Sequence, residues 1–260
     1  MRAFLLLMLA SFFCCCLPAS AQFKLIGSAT YMSGNCIRLT PDSPYSEGIA
    51  YHSAKLDLTR NFEIEFDIFL GAKDEGADGI TFVIHNDVRG YGAFGTYGEC
   101  MGYGRWSPRA YWANSITPSV AVEFDTYHNP NQNDPYCDHV AYLENGVSYH
   151  ETFWNNQDDN FNMEDDVLHD FRMSWDPVSK EIKVMLDGKV VYQGQRDLIN
   201  DIFEGQTQVI WGFTASTGRK SNLQYFCLRN LAQAKPAPPA PRRPLNRPAE
   251  AEAYTRADNR

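Results

Sequence analysis

Between Ser119 and Val140 the chain reads Ser-Val-Ala-Val-Glu-Phe-Asp-Thr-Tyr-His-Asn-Pro-Asn-Gln-Asn-Asp-Pro-Tyr-Cys-Asp-His-Val, and its oxygen and nitrogen donors recur at intervals that suit a cation. Glu123 and Asp125 are two residues apart, so in a strand both carboxylates stand on one face, about 7 Å from each other. Two carboxylates so placed repel, and a positive charge is expected between or above them. The loop that follows adds Asn129, Asp134 and His139. Oxygens from Asp, Asn and backbone suit calcium, whereas a set that includes an imidazole nitrogen suits a transition ion such as manganese. Pro130 and Pro135 stiffen the loop and lower the entropy lost in holding its ligands. Glu-x-Asp alone reads more readily as a solvated strand end; His139, Tyr-x-Asn and Asp-Pro in register with it favour the cation.

The stretch resembles the metal-binding segment of the L-type (legume-like) lectins, which read Val-Ala-Val-Glu-Phe-Asp-Thr-Tyr-x-Asn, then Asp-Pro, then His. The resemblance implies a manganese ion held by Glu123, Asp125, Asp134 and His139. It implies a calcium ion held by Asp125, the Tyr127 backbone carbonyl, Asn129 and Asp134. Two further stretches follow the same family pattern, and together they extend the resemblance over roughly residues 23–232. Gly76-Ala77-Asp78-Gly79-Ile80 is similar to the Ala-Asp-Gly signature, whose Asp accepts bonds from two sugar hydroxyls and follows a cis peptide. Trp211-Gly-Phe-Thr-Ala-Ser-Thr-Gly218 resembles the strand that precedes the specificity loop. In that loop, from Gly218 to Asn222, Arg219 and Lys220 are either ligand contacts or part of a solvated turn.

In the implied site the Asn129 carbonyl oxygen ligates calcium, which leaves its amide hydrogens for a sugar hydroxyl. Tyr127 offers its ring to the apolar face of a pyranose. The metals would thus orient the binding groups and lower the entropy lost on binding. The sequence departs most from the pattern at Gly98-Glu99-Cys100-Met101-Gly102, where relatives carry consecutive glycines; the backbone N–H offered to the sugar is that of Gly98 or Glu99. Residues 105–114 form a long aromatic insertion that walls the pocket, extends it or packs on the sandwich edge.

The elements needed to position these groups are strands. Val120, Val122 and Phe124 alternate with the carboxylates, and Phe62, Ile64, Phe66, Ile68 and Leu70 alternate with mostly charged neighbours. Phe23 to Thr40 reads as one or two strands, Pro41 to Gly48 as a loop, and Ile80 to Ile84 as a strand. Further short strands are expected from Val140 to Phe153 around Asn145-Gly146, and Asp187-Gly188 closes a hairpin. Arg196 to Phe203 is the one expected helical turn. About a dozen antiparallel strands with almost no helix predict an all-β, concanavalin-like jelly-roll β-sandwich.

With 260 residues, 44% of them hydrophobic, the chain has ample material for one core. Residues 1–21 read as a cleaved secretory signal: Arg2, then an apolar run to Phe13, then Ala19-Ser20-Ala21. Cys14 lacks the small preceding residue of a lipid-attachment site. The sandwich is expected over 22–233, and 234–260, rich in Pro, Ala and Arg, reads as a disordered tail. No other segment is apolar and long enough to span a bilayer. Arg2 contributes +1 and residues 234–260 +3 to a net charge of −9, so the body carries −13. So acidic a body excludes nucleic acid as a partner, since phosphate binding needs a basic surface.

Cys36, Cys100, Cys137 and Cys227 allow three disulfide connectivities in an exported protein. The favoured pairing is Cys36–Cys227 with Cys100–Cys137; free thiols are the alternative. The expected function is a non-catalytic, calcium- and manganese-dependent glycan-binding protein with Asp78, Gly98, Tyr127, Asn129, Gly218 and Arg219 at the sugar. A homodimer through the back sheet is a possible assembly. Two other classes compete. A jelly-roll glycanase would need Glu-x-Asp-x-x-Glu, but here the last position is His128, and carboxylates held by metals cannot transfer protons. A structural or adhesive sandwich would bind metal without sugar preference.

Overall fold

Residues 23–233, described by a computed structural model, form fourteen strands. The expected signal at 1–21 and tail at 234–260 lie outside the described residues. In chain order the strands are β1 (Phe23–Gly27), β2 (Thr30–Tyr31), β3 (Cys36–Thr40), β4 (Glu47–His52), β5 (Leu56–Asp57), β6 (Phe62–Phe69) and β7 (Gly79–His85). They continue as β8 (Ser119–Asp125), β9 (His139–Glu144), β10 (His169–Asp176), β11 (Glu181–Leu186), β12 (Lys189–Gln195), β13 (Gln208–Ser216) and β14 (Gln224–Gln233). One sheet runs β1-β4-β13-β7-β8-β9, with β5 on β13, and the other runs β12-β11-β10-β6-β14-β3-β2. All ladders within them are antiparallel.

The core lies between the sheets and is built from the alternating apolar sets. From β6 come Phe62, Ile64, Phe66 and Ile68, and from β8 come Val120, Val122 and Phe124. Phe66 meets Phe213 edge-on at 4.7 Å, and Phe213 stacks on Phe226 at 4.2 Å. Each such side chain contributes roughly 1.5–3 kcal/mol by leaving water. The outer face of the second sheet is charged. Arg229 bridges Asp67 and Asp170, both at 3.1 Å, and Arg172 pairs with Asp170 at 3.1 Å.

The first sheet has no such solvated face. Its outer side carries a second apolar cluster of Tyr51, Val83, Ala121, Leu143 and Ile210, joined by Ala93, Tyr103 and Ile116 from the connection between β7 and β8. Tyr103 fixes that connection: its hydroxyl lies 3.0 Å from Ser119 Oγ and accepts the Gly146 N–H at 3.0 Å. This cover explains why the face of β8 that holds Glu123 and Asp125 is buried along its whole length.

The structure differs from the sequence reading in five places, the first being that Phe23 to Thr40 carries three strands, β1 to β3, instead of one or two. β4 is a full strand where a loop was expected up to Gly48; with Gly48 to His52 buried, it has no polar alternation to mark it. No strand follows the Asn145-Gly146 turn: Ser148 N–H bonds instead to the Arg105 carbonyl at 3.0 Å, and Arg105 N–H bonds to Gly146 at 3.0 Å. The helical turn is a π-type turn at Leu198–Ile202, and it is accompanied by single turns at Gly90–Gly92, Gly98–Cys100 and Pro130–Gln132. Finally, Cys100 and Cys137 are unpaired among the described residues. Cys100 Sγ points at Gln132 Oε1, 3.8 Å away, while Cys137 Sγ faces Asn155 Nδ2 at 3.4 Å, so the two sulfurs have different neighbours.

Cys36 and Cys227 face each other across β3 and β14 and form the expected disulfide, which closes a loop across a separation of 191 residues. Constraining so long a loop in the unfolded chain stabilises the fold, and its removal is expected to cost about 2–5 kcal/mol. A Cys36→Ser/Cys227→Ser double variant should therefore melt several degrees lower than the parent in calorimetry. An unchanged melting temperature would show that the bond contributes nothing to stability.

Candidate functional site

Glu123 and Asp125 project from the covered face of β8, and the chain then turns through Tyr127 and Asn129 before returning in β9. The β8–β9 register sets His139 directly opposite Asp125, so one imidazole arrives beside the carboxylates by strand pairing alone. Asp134 is folded back by the turn at Pro130–Gln132; its Oδ2 accepts the Asn129 N–H at 2.7 Å. Asp125 Oδ1 accepts the Tyr127 N–H at 2.8 Å. His139 Nε2 lies 3.8 Å from Asp134 Oδ1 and 3.9 Å from Glu123 Oε1.

A fifth residue of this cluster, His150, was not found from the sequence. Its Nδ1 lies 3.0 Å from the Ser148 carbonyl and 3.1 Å from Glu123 Oε1, and its Nε2 lies 3.9 Å from Asp134 Oδ1. The donor atoms of Glu123, His139 and His150, and those of Asp125, Asp134 and His139, lie within 4.8 Å of one another in each set. The sole sequence signal was a second His eleven residues after His139, with no motif around it.

The chemistry of these donors fits a metal. Glu123 Oε2, Asp134 Oδ1, Asn129 Oδ1 and the Nε2 atoms of His139 and His150 are all buried with no hydrogen-bond partner among the described residues. Buried polar atoms are ordinarily satisfied, and several left unsatisfied around one point mark a shared ligand. Without a cation the carboxylates resist ionisation. Burial raises Glu123 and, with help from Asp134 and Glu123, pushes Asp125 well above the carboxylate range; burial also raises Asp134 to about 7. Burial and the neighbouring His150 push His139 down to about 3, which keeps its ring neutral and able to ligate.

Next to the cluster lies a cleft of about 300 Å³ lined by Asp78, Gly98, Glu99, Tyr127, Asn129, Gly218, Arg219 and Lys220. All six residues expected at the sugar are therefore brought together. Asp78 precedes β7, and the Ala77–Asp78 peptide is cis. The Asp78 backbone is locked from both sides: its N–H bonds to Ser216 at 3.1 Å, and its carbonyl accepts from Thr126 N–H at 3.0 Å. Gly79 must be glycine, since it has φ 140° and an added Cβ would stand 2.1 Å from the Phe124 carbonyl. The Asp78 carboxylate is buried, with Oδ2 unpartnered; burial lifts its pKa to about 7 against a bond from the Gly218 backbone. Tyr127 is 40% exposed and presents its ring to the opening.

The cluster and the cleft share a brace. Gln132 Nε2 donates to the Glu99 carbonyl at 2.7 Å, and Asn131 Nδ2 donates to Glu99 Oε2 at 3.0 Å, so the ligand loop holds the Gly98–Glu99 rim. The 105–114 insertion lines no part of the cleft; it lies against the Gly146–Ser148 turn, leaving Tyr111 and Trp112 exposed. A larger acidic depression of about 650 Å³ shares Tyr127 and Lys220 with the cleft.

These shifts give a pH signature. An unfolded Asp releases its proton near its ordinary value of 3.8, whereas folded Asp134 holds one until about 7. Between those values the unfolded chain binds fewer protons, so the stability of chelated protein falls as pH rises. Bound cations keep the ligand carboxylates ionised and remove their share of that slope. Melting temperatures of chelated and metal-loaded protein at several pH values from 4 to 8 should diverge as pH rises; parallel curves would mean that the cluster takes no cation.

Comparison with known proteins agrees with this architecture. A family model described as the legume lectin beta-barrel domain matches residues 17–230. The fold is shared with lectin II of Ulex europaeus (TM-score 0.66, 18% identity, covering 84% of this chain and 94% of that one). It is also shared with a Bauhinia forficata lectin solved with GalNAc (TM-score 0.64, 22% identity, 82% and 93% covered). A curated relative, the pesticidal crystal protein Cry22Aa of Bacillus thuringiensis, is 32% identical over 113 residues, or 43% of this chain. The match spans only 14% of that relative's length. With the two-sheet topology and a family match over most of its length, the chain belongs to the legume (L-type) lectin family.

Proposed function

We propose that this protein is an exported, metal-dependent lectin that binds glycans without transforming them. The observation that carries this reading is the buried Asp78 carboxylate, whose Oδ2 has no partner among the described residues and which lines one cleft with Tyr127, Asn129, Gly98 and Glu99. In this reading Asp78 accepts two sugar hydroxyls, Asn129 donates its amide hydrogens, and Gly98 or Glu99 offers a backbone N–H. Tyr127 stacks on the apolar face of the sugar, and Gly218 and Arg219 border it. Glu123, Asp125, Asp134 and His139 hold a transition ion; Asp125, the Tyr127 carbonyl, Asn129 and Asp134 hold calcium. The ions supply fixed positive charge, which keeps the carboxylates ionised and the ligand loop in place.

Burial argues against a glycanase. Glu123 and Asp125, the two carboxylates of the glycanase-like strand, are 1% and 2% exposed, so neither reaches a substrate. The disulfide suits an oxidising compartment, in keeping with an exported chain. No helix among the described residues is long and apolar enough to cross a membrane. One shallow site binds weakly, and a back-sheet homodimer would add avidity by setting the ion-paired outer face against its copy.

Galactose, GalNAc and a wider glycan array, probed with calcium and a transition ion present, test the reading. Binding should vanish on chelation and return when both ions are restored. Asp78→Asn should weaken binding by about 100-fold or more, since one of the two acceptor oxygens becomes an NH2 donor and the remaining bond loses its charge, while metal content stays unchanged. Tyr127→Ala should cost a few-fold to about tenfold. A protein that takes up both ions and yet binds no glycan would instead be a structural sandwich.

A further inference from the structure

His150 lies outside the four-residue set that the family pattern implies for the transition ion, yet its ring is built into the cluster. We propose that His150 Nε2 is a direct ligand of that ion, making the centre a two-imidazole, three-carboxylate site with a raised preference for zinc or cobalt over manganese. The inference rests on the reading of this cluster as a cation site and is independent of which glycan, if any, occupies the cleft.

Both imidazoles are held from the backbone, although His150 Nδ1 also lies 3.1 Å from Glu123 Oε1. Each is anchored through a backbone carbonyl, His150 by Ser148 at 3.0 Å and His139 by Cys137, and each keeps a buried Nε2 with no partner. A carbonyl that takes the Nδ1 proton fixes the tautomer with the Nε2 lone pair free, which is the usual arrangement of a metal-bound His. The Nε2 atoms stand at nearly equal distances from Asp134 Oδ1, 3.8 Å for His139 and 3.9 Å for His150. For bonds of about 2.1 Å, ligands around one ion are separated by about 3 Å when adjacent and about 4.2 Å when opposite, and both distances fall in that interval.

His150 also belongs to the ligand loop through its backbone. Its carbonyl accepts from Asn133 Nδ2 at 3.0 Å, and its N–H bonds to the Gln132 carbonyl at 3.4 Å. Phe153 packs edge-on against both rings, with centroids 5.7 Å from His139 and 6.1 Å from His150. An apolar shell of this kind limits water at the ion and holds the imidazoles in place. Carboxylates and water suit manganese, whereas each added imidazole favours zinc and cobalt.

The test uses the full chain, stripped by chelation and reloaded with calcium and one equivalent of Zn2+, Co2+ or Mn2+. X-ray absorption on the zinc form should count two imidazoles in the parent and one in His150→Ala. Competition should show zinc affinity falling at least 10-fold in His150→Ala, with manganese affinity changed less, while near-UV circular dichroism confirms the fold. His150→Asn, which keeps a polar side chain, should lose zinc preference in the same way. A single imidazole in the parent, or equal losses of zinc and manganese, would reduce His150 to a positioning residue for Glu123 and overturn the proposal. Failure of glycan binding with the two-imidazole count intact would overturn the lectin reading alone.

Discussion

Three carboxylates and two imidazoles buried at one end of β8 and β9, with no Lys or Arg paired with them among the described residues, form the constraint on which the site depends. Like charges at these separations in a medium poorer than water in polarisability cannot all be ionised unless a cation joins them. Buried atoms of Glu123, Asp134, His139 and His150 are left without a hydrogen-bond partner among the described residues. Such a set of donors is chemically suited to a shared cation.

Burial of this cluster follows from how the first sheet is covered. In an ordinary sandwich the outward face of each sheet meets water, as the ion-paired face of the second sheet does. The connection from β7 to β8 instead lays Ala93, Tyr103 and Ile116 over the first sheet. Apolar packing over Ala121 and Leu143 therefore continues directly into the polar cluster at Glu123 and Asp125. The same connection carries the Gly98–Glu99 rim, so the segment that shields the carboxylates also borders the cleft.

The cluster and the cleft are coupled through short contacts. Asn129 and Asp134 are tied by one hydrogen bond, and the Asp78 carbonyl receives the Thr126 N–H directly after Asp125. Gln132 and Asn131 hold Glu99. Groups that would meet a sugar are thus one or two bonds from groups that would meet an ion. Order in the loop from Asn129 to Asp134 becomes order in the cleft, so the entropy of positioning Asn129 and Tyr127 is lost during folding, before any ligand arrives.

Sequence alone determined the parts governed by period and local spacing. Alternation in Phe62–Phe69 and Ser119–Asp125 assigns those side chains to faces because a strand repeats every two residues. Glu123, Asp125, Asn129, Asp134 and His139 were legible because one turn and one strand pairing bring them together. The disulfide between Cys36 and Cys227 was legible as a link between an early and a late strand. Tertiary structure decided the rest. β4 is buried on both sides and so shows no alternation; Cys100 and Cys137 sit in loops whose sulfurs face different partners. His150 joins the metal cluster only because Ser148 pairs with Arg105 instead of continuing a hairpin with β9. That choice is made between segments more than forty residues apart, and no local pattern encodes such a contact; only the packed chain does.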